Sequence, residues 1–326
     1  MKEILKMFFV IFVLAFPGIN CEKIYRFKEG KISGINNIED LDKEAVFNFA
    51  IMSDNKGDSP KSSKQFANMV KWLKESNAQF VIGLGDHVKK GWENNFLPFL
   101  KENKWWHQNF YPNVADGENE FYGRSQSDWG AGAPILEEVD LSENPNVTIR
   151  DNKCEYYAKI KVKGYTIHLI QLYYSDEPKE DSIAFTEDSK RYLVDILKSI
   201  DKGPKDIIIA AAHSRTGFWI DQLSFEQRTK VMDKCDLVLS ATTHFWERKA
   251  IPGYEDSGPL FINTGSITYP SRNSPYGYVQ VHVIRKPLSL VVQYINADRI
   301  KREMQPSKYA FIKIVGGKIL KTNFRK

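Results

Sequence analysis

The sequence has little cysteine, no block of basic residues and a single long apolar run, and each shortage excludes a class of protein. Only three of its 326 residues are cysteines, too few for the disulfide framework of a small secreted domain. Once Cys21 is set aside, Cys154 and Cys235 allow at most one disulfide, and neither belongs to a metal-type cysteine pair. The 46 basic and 41 acidic side chains are interspersed and leave a net charge of +5, so we expect no nucleic acid target.

The apolar run lies at the N terminus and is typical of an export signal. Lys2 and Lys6 precede or flank the run Met7–Phe16, which ends a few residues before Cys21. As a helix, this run is too short to span a bilayer core of about 30 Å. We therefore expect residues 1–21 to hold a signal peptide that is cleaved close to Cys21.

Cys21 fits the lipidation cysteine of a bacterial lipoprotein, although Gly18-Ile19-Asn20 matches the usual approach to it only loosely. If acylated, the protein lies in the cell envelope, touches the membrane only through its lipid, and residues 22–45 form a polar tether. If simply cleaved, it is periplasmic or secreted. Both outcomes stay open, and export is expected in either case.

The rest of the chain alternates apolar runs with helical patterns. Residues 45–52 and 79–86 predict buried strands, and 62–76 between them has the apolar stripe of a helix. Strand, helix and strand at this spacing predict a parallel pair with a crossover helix. Further strands are predicted at 156–162, 165–174, 205–213, 236–244, 259–266, 278–284 and 288–295, and further helices at 93–103 (interrupted at Pro98), 186–200 and 225–235.

No internal repeat or low-complexity linker divides this region. We therefore expect one α/β domain at residues 46–295, built from two packed mixed sheets. Residues 296–326 are expected to form a C-terminal extension that packs on the domain.

Five predicted strands end in, or shortly before, a side chain that can bind a metal. These side chains are Asp54, Asp86, Glu118, His213 and His244. Because ligands of open α/β sheets gather at the carboxyl ends of the strands, we expect the five to meet in one crevice. Carboxylates together with imidazoles suit zinc, manganese or iron better than magnesium. A carboxylate between two cations about 3.5–4 Å apart is the usual core of a two-metal hydrolytic site.

The order of these segments resembles the calcineurin-like metallophosphoesterases, a family that includes the purple acid phosphatases. The family motifs run D-x-H, G-D-x-x-x-x-G, G-N-H-E, a lone His after a strand, and G-H-x-H. This chain has, in the same order, Asp54-Asn55-Lys56, Gly85-Asp86 with Gly91, Gly117-Glu118-Asn119-Glu120, His213, and Ala241-Thr242-Thr243-His244. The resemblance covers 46–295 and implies a four-layer α/β/β/α sandwich of two mixed sheets.

The resemblance also implies a metal centre of one or two Mn, Zn or Fe ions. One ion would be held by Asp54, Asp86 and His244, and a second by Asp86, Glu118 and His213. In the family, a metal-bound hydroxide attacks the phosphorus of a phosphate ester. The chain is therefore expected to be a metal-dependent phosphomonoesterase or phosphodiesterase.

Three positions depart from the family motifs. Lys56 replaces the His of D-x-H, and a protonated lysine is not a metal ligand but can hold phosphate as a point charge. Asn119 replaces the proton-donating His of G-N-H-E, and an amide cannot be a general acid. Thr242 replaces the first His of G-H-x-H. Lys56, Asn119 and the neighbouring Glu120 are the candidate catalytic residues, and the missing acid favours substrates with good leaving groups.

The same departures keep a second function open, that of a catalytically impaired protein of this fold acting as an exported binding protein. In both cases the expected partner is a small phosphate ester. The tryptophans near the predicted crevice either pack at the periphery of the core or form a wall for a nucleoside or sugar group. They are Trp92, Trp105, Trp106, Trp129, Trp219 and Trp246.

Overall fold

Two seven-stranded mixed sheets form the centre of the molecule. The computed structural model describes residues 27–28, 31–32, 34–88, 93–114, 134–139, 141–152, 154–173, 186–214, 219–241, 243–268, 275–303 and 310–321. The strands are β1 (Phe27–Lys28), β2 (Lys31–Ile32), β3 (Phe47–Met52), β4 (Val81–Gly83), β5 (Phe110–Pro112), β6 (Val147–Ile149), β7 (Tyr156–Val162), β8 (Tyr165–Leu172), β9 (Asp206–His213), β10 (Leu237–Ala241), β11 (Glu247–Lys249), β12 (Leu260–Asn263), β13 (Gly277–Ile284), β14 (Ser289–Asn296), β15 (Ala310–Ile314) and β16 (Ile319–Lys321). The helices are α1 (Ile38–Glu44), α2 (Lys64–Glu75), α3 (Glu93–Glu102), α4 (Lys104–Asn109), α5 (Pro134–Glu138), α6 (Glu187–Ser199) and α7 (Phe225–Lys234).

The first sheet has the order β16-β15-β14-β13-β3-β4-β5. Its β3, β4 and β5 are parallel, and the remaining strands join as an antiparallel meander. The second sheet has the order β11-β12-β10-β9-β8-β7-β6, with β8, β9, β10 and β12 parallel. Parallel strands of both sheets therefore supply the strand ends at which the sequence places its candidate ligands.

The layers follow from which faces are buried. Every residue of β3 and of β13 is buried, as expected for strands covered on both faces. One apolar cluster joins the facing sides of the two sheets and includes side chains of α2 and α3, and a second fills the space between the second sheet and α6 and α7. The predicted α/β fold with two mixed sheets and flanking helices is confirmed.

The β3–α2–β4 unit has the predicted parallel crossover. Ser63 caps α2 by accepting a hydrogen bond from the Phe66 backbone N–H, which satisfies one of the donors exposed in the first helical turn. The hairpin predicted between β7 and β8 is also confirmed, since Lys163 and Gly164 both have positive φ, 50° and 80°. Two successive left-handed residues suit the turn that matches the twist of paired strands.

The interruption predicted at Pro98 is wrong, because α3 continues through it. A proline inside a helix costs about 3 kcal/mol. Phe96 and Phe99 are buried on either side of it, with their ring centroids 5.6 and 5.4 Å from that of Phe66. Burial of these aromatic side chains outweighs the local penalty.

Within the segment predicted as a tether, 22–45, the structure places α1 against the first sheet. Asn37 caps this helix, and Leu41 packs in an apolar cluster with Ile284 and Val291. From the C-terminal extension, β15 and β16 add two strands to the same sheet. The predicted signal peptide, 1–21, lies outside the described residues.

Within the described ranges, none of the helices combines the length and apolar character needed to cross a membrane. Cys154 and Cys235 are both buried as free thiols. They lie in different apolar clusters, so the disulfide that the sequence allows is not formed.

Candidate metal centre

The site is assembled from strand ends of both sheets. Asp54 and Asp86 follow β3 and β4 of the first sheet, while His213 ends β9 and His244 follows β10 of the second. In each sheet the two strands are parallel neighbours, so their carboxyl ends lie side by side. Two carboxylates from one sheet therefore meet two imidazoles from the other.

The backbone at this edge is held in a conformation that residues with a Cβ rarely adopt. The angle φ is 53° at Asp54, 45° at Lys56, 55° at Asp86 and 57° at His244. Each such residue costs roughly 1–2 kcal/mol relative to an ordinary conformation. A concentration of left-handed, non-glycine residues is typical of sites where function constrains the backbone.

Hydrogen bonds between the two turns of the first sheet maintain this conformation. The N–H of Asp54 donates to Gly85 O at 3.1 Å, and the N–H of Lys56 donates to Asp86 O at 2.7 Å. From the connection that follows β12, the hydroxyls of Ser266 and Thr268 donate to the Asp54 carbonyl at 2.8 and 3.0 Å. The turn carrying Asp54 is thus fixed from both sides.

Three buried ligand atoms cluster at the centre. One atom each of Asp54, Asp86 and His213 lies within 4.8 Å of the other two. Neither carboxylate oxygen of Asp54 has a hydrogen-bond partner among the described residues. His244 Nε2 approaches Asp54 Oδ1 at 3.0 Å, an ion-pair distance without the alignment of a hydrogen bond. A buried carboxylate without hydrogen bonds is costly unless a cation neutralises it, so the donor set fits a metal ion.

His213 is oriented as a metal ligand. Its Nδ1 lies 2.6 Å from Leu84 O, and because a carbonyl only accepts, Nδ1 carries the proton. Nε2 therefore presents its lone pair towards the cluster, 3.9 Å from Asp86 Oδ2. A second nitrogen bonded to a carbonyl is the usual way in which proteins orient a ligating histidine.

Asn113 is a site-forming residue that the sequence analysis missed. Its Oδ1 accepts from the His213 N–H at 3.1 Å, and its Nδ2 donates to Gln171 Oε1 and Leu172 O, each at 2.9 Å. It thereby ties the end of β5 to β8 and β9. The sequence does contain a signal for it, because Asn113 is the first polar residue after the buried strand β5. Asp54 and Asp86 likewise stand in polar turns just after buried strands.

His87 braces the two carboxylate turns. Its Nε2 accepts from the Gly85 N–H at 3.0 Å, so Nδ1 carries the proton and donates to Asn55 Oδ1 at 2.7 Å. Burial, with a smaller contribution from the neighbouring His213, lowers the pKa of His87 to about 3. The side chain is therefore neutral, and its role is to connect the turns.

Lys56 lies beside the carboxylate pair. Its Nζ is 2.8 Å from Asp86 Oδ2, with 18% of the lysine side chain and 8% of the aspartate side chain exposed. The structure thus brings together Asp54, Lys56, Asp86, His213 and His244. Glu118, Asn119, Glu120 and Thr242 lie outside the described residues, so their roles stay predictions.

The structure describes four of the six tryptophans that the sequence places near the predicted crevice. Trp219 and Trp246 are buried, the first donating from Nε1 to Leu239 O at 3.0 Å and the second stacked on Tyr294 at 5.4 Å. Trp105, 38% exposed, and buried Trp106 belong to α4, which leads into the opposite end of β5. Packing accounts for Trp106, Trp219 and Trp246, and Trp105 is exposed away from the site. Trp92 and Trp129 lie outside the described residues.

Comparisons with known proteins give structural likeness alone. No family model and no curated protein matches the chain. Similar solved structures include GAP50, the anchor in the inner membrane complex of Plasmodium (14% identity, TM-score 0.49, 86% of this chain and 89% of that one). They also include the purple acid phosphatase PPD1 from yellow lupin (13%, 0.48, 79% and 53%) and YfcE, a phosphoesterase from E. coli (12%, 0.34, 78% and 96%). This chain spans about half the length of the lupin phosphatase. Likeness at this level carries no argument about chemistry, which depends on the residues of the site.

Proposed function

We propose that this chain is a metal-dependent hydrolase of phosphate esters. The observation that carries the proposal is the buried group of Asp54, Asp86 and His213, in which the Asp54 carboxylate has no hydrogen bond among the described residues. Two carboxylates with an oriented imidazole suit manganese, zinc or iron. His244, 3.0 Å from Asp54, would be the fourth ligand among the described residues. Glu118 is a further predicted ligand.

The side chains around this group have distinct proposed roles. When bound, a divalent cation supplies Lewis-acid activation of a phosphoryl oxygen and of the attacking water. The Lys56 ammonium would hold a phosphoryl oxygen as a point charge. Asn119 would donate a hydrogen bond to another phosphoryl oxygen, and Glu120 is the remaining candidate catalytic residue.

The proposed substrate is a small phosphate ester, such as a nucleotide or a sugar phosphate, and esters with good leaving groups should be hydrolysed fastest. A general acid is typically worth about 10²–10⁴-fold in rate, and position 119 holds an asparagine that cannot supply a proton. Esters whose leaving group departs without protonation are therefore favoured. Aryl phosphates have this property.

The test is an assay of the purified protein with p-nitrophenyl phosphate and bis(p-nitrophenyl) phosphate in the presence of manganese, zinc or iron. Turnover is expected with at least one metal and should fall at least about 100-fold in Asp86→Asn, which removes a charged ligand. Asp201→Asn, the same change at an exposed position, is the matched control and should keep full activity. No turnover above the Asp86→Asn background with any metal would sink the proposal.

One observation favours a second candidate, a non-catalytic exported binding protein. Lys56 Nζ at 2.8 Å from Asp86 Oδ2 neutralises that carboxylate without a metal. Metal analysis distinguishes the two candidates. A purified protein that neither carries stoichiometric metal nor takes it up on dialysis supports the non-catalytic binding protein over the hydrolase.

We also propose that the protein is exported and anchored by acyl chains on Cys21. Each buried methylene adds about 0.8 kcal/mol, so two or three chains hold a protein firmly at a membrane surface. Wild type should partition into detergent and Cys21→Ser should stay aqueous. If both proteins stay in the aqueous phase, the lipid anchor is contradicted, and the proposal becomes that of a periplasmic or secreted protein.

A further inference from the structure

The Asp86 carboxylate is already engaged by a positive charge of the chain itself. Its Oδ2 lies 2.8 Å from Lys56 Nζ and 3.9 Å from His213 Nε2. An oxygen paired with an ammonium at this distance is partly neutralised before any metal binds. This matters because a carboxylate that bridges two metal ions has to face both of them, and Asp86 already faces an ammonium.

The position of Lys56 is set by the backbone. Its left-handed φ of 45° and the hydrogen bond from its N–H to Asp86 O, 2.7 Å, fix the turn next to Asp86. The following residue repeats the connection, with the Gly57 N–H donating to His87 O at 2.7 Å. The main chain of Lys56 is therefore held next to Asp86, and the side chain, 18% exposed, is mostly buried where its ammonium meets the carboxylate.

A charge count favours one metal ion over two. Among the described side chains, Asp54, Asp86 and Lys56 together carry a net charge of −1, which a single divalent ion changes to +1 and a second would raise to +3 in a mostly buried space. Binding of Glu118, the further predicted ligand, would lower each of these totals by one, and the second ion would still leave an excess of positive charge. Like charges about 4 Å apart repel by roughly 4 kcal/mol per unit pair at a protein surface, and by more for divalent ions.

We propose that the Lys56 ammonium stands in place of a second metal ion, so that the site takes one divalent cation and offers a phosphate group one metal and one ammonium. The inference rests on the metal site of the proposed function and deepens it. It makes this centre a one-metal site with a fixed organic cation, and it assigns Lys56 to recognition of the phosphate.

The first test counts bound ions. Calorimetric titration with manganese, checked by metal analysis after dialysis, should give one ion per wild-type chain and one in Lys56→Arg, which keeps the charge. Lys56→His supplies an imidazole and removes the permanent charge, so it should bind two. Two ions per wild-type chain, or none, would overturn the proposal.

The second test uses the opposite effects that the proposal predicts for one variant. Lys56→Met should bind the first manganese ion roughly tenfold more tightly, because repulsion by the ammonium is removed. The manganese-loaded variant should bind inorganic phosphate roughly tenfold more weakly, because one of its two cations is lost. A folding defect would weaken both. Lys61→Met, at an exposed lysine nearby, should change neither, and manganese affinity unaltered or reduced in Lys56→Met contradicts the inference.

These outcomes separate the inference from the proposed function. One bound ion with no turnover of any phosphate ester would leave the inference standing and remove the hydrolase. Turnover by a wild-type chain that holds two ions would do the reverse.

Discussion

Two aspartate–lysine ion pairs have the same nitrogen–oxygen distance but lie at different places, one beyond the carboxyl ends of strands in the first sheet and one at the amino end of a strand in the second. Asp86 and Lys56 meet at 2.8 Å where the strands end, and Asp236 and Lys202 meet at 2.8 Å just before β10 begins. At the second pair both carboxylate oxygens accept from Lys202, and Oδ2 also accepts from the Ile208 N–H at 3.0 Å. That pair is saturated within the protein.

The first pair sits in a different setting. Next to it, the buried Asp54 has no hydrogen bond to its carboxylate among the described residues, and its backbone is left-handed. The backbone around Lys202 and Asp236 shows no such positive φ. The Asp236–Lys202 pair satisfies its carboxylate oxygens within the chain, whereas the Asp86–Lys56 pair lies beside the Asp54 carboxylate, which has no hydrogen bond among the described residues and can take a ligand.

The largest expected effect is the loss of stability when Asp236 of the Asp236–Lys202 pair is replaced. Asp236→Ala removes both partners of the Lys202 ammonium and an acceptor of a backbone N–H, so the free energy of unfolding should fall by about 3 kcal/mol. Urea denaturation at pH 7 measures the change. The double variant Asp236→Leu with Lys202→Met should recover most of it, since no unpaired charge remains; no recovery would mean that packing rather than charge is responsible.

Metal addition should distinguish the two edges next. Manganese at about 100 times its dissociation constant should raise the free energy of unfolding of the wild type by about 2.7 kcal/mol, and a chelator should reverse the gain. Asp236→Ala should keep this increment, whereas Asp54→Asn should lose it. An equal increment in all three proteins would mean that the ion binds elsewhere.

A pH titration should test the charge balance at the Asp236–Lys202 pair, because both of its charges act on the pKa of the buried Lys313. Burial lowers the pKa of Lys313, whose Nζ donates to Gly317 O at 2.7 Å, to about 8. The folded state therefore holds this proton less tightly than the unfolded state, whose lysine has an ordinary pKa of 10.5. Stability from this group is lowest below pH 8 and rises as the pH increases from 8 to 10.5. Lys313→Met should thus be more stable than wild type by about 1–2 kcal/mol at pH 7, with the difference narrowing above pH 8.

The smallest effect is also the most diagnostic in sign. In the metal-free protein Asp54→Asn should raise the free energy of unfolding by about 1 kcal/mol, because a buried charge without hydrogen bonds is removed. Asparagine also tolerates the left-handed conformation at this position. Thermal or urea unfolding in the presence of a chelator measures it, and destabilisation would show that Asp54 is satisfied within the metal-free fold.

The main elements of the fold could be predicted from the sequence because their signals are local. The parallel β3–α2–β4 unit and the β7–β8 hairpin follow from periodicity and turn residues. The helix interruption predicted at Pro98 was wrong because aromatic packing on α3 outweighs the cost of a proline in a helix, and the local sequence pattern carries no information on that packing.

The candidate site was predictable as a set of strand ends, but its geometry was not. The contacts that fix the Asp54 turn come from Ser266 and Thr268, more than 200 positions along the chain. Periodicity carries no information on such pairings or on the left-handed φ values they impose. Asn113 was missed because the resemblance to the G-N-H-E motif drew the interpretation to residues 117–120.

The central claim is that a metal ion completes the buried group of Asp54, Asp86 and His213. The most direct measurement is an anomalous difference map from crystals grown with manganese or zinc. We expect a peak at ligand distance, about 2.0–2.3 Å, from all three side chains, with Lys56 still beside Asp86. A map without a peak there, in which the Asp54 carboxylate is hydrogen-bonded to protein groups instead, would contradict it.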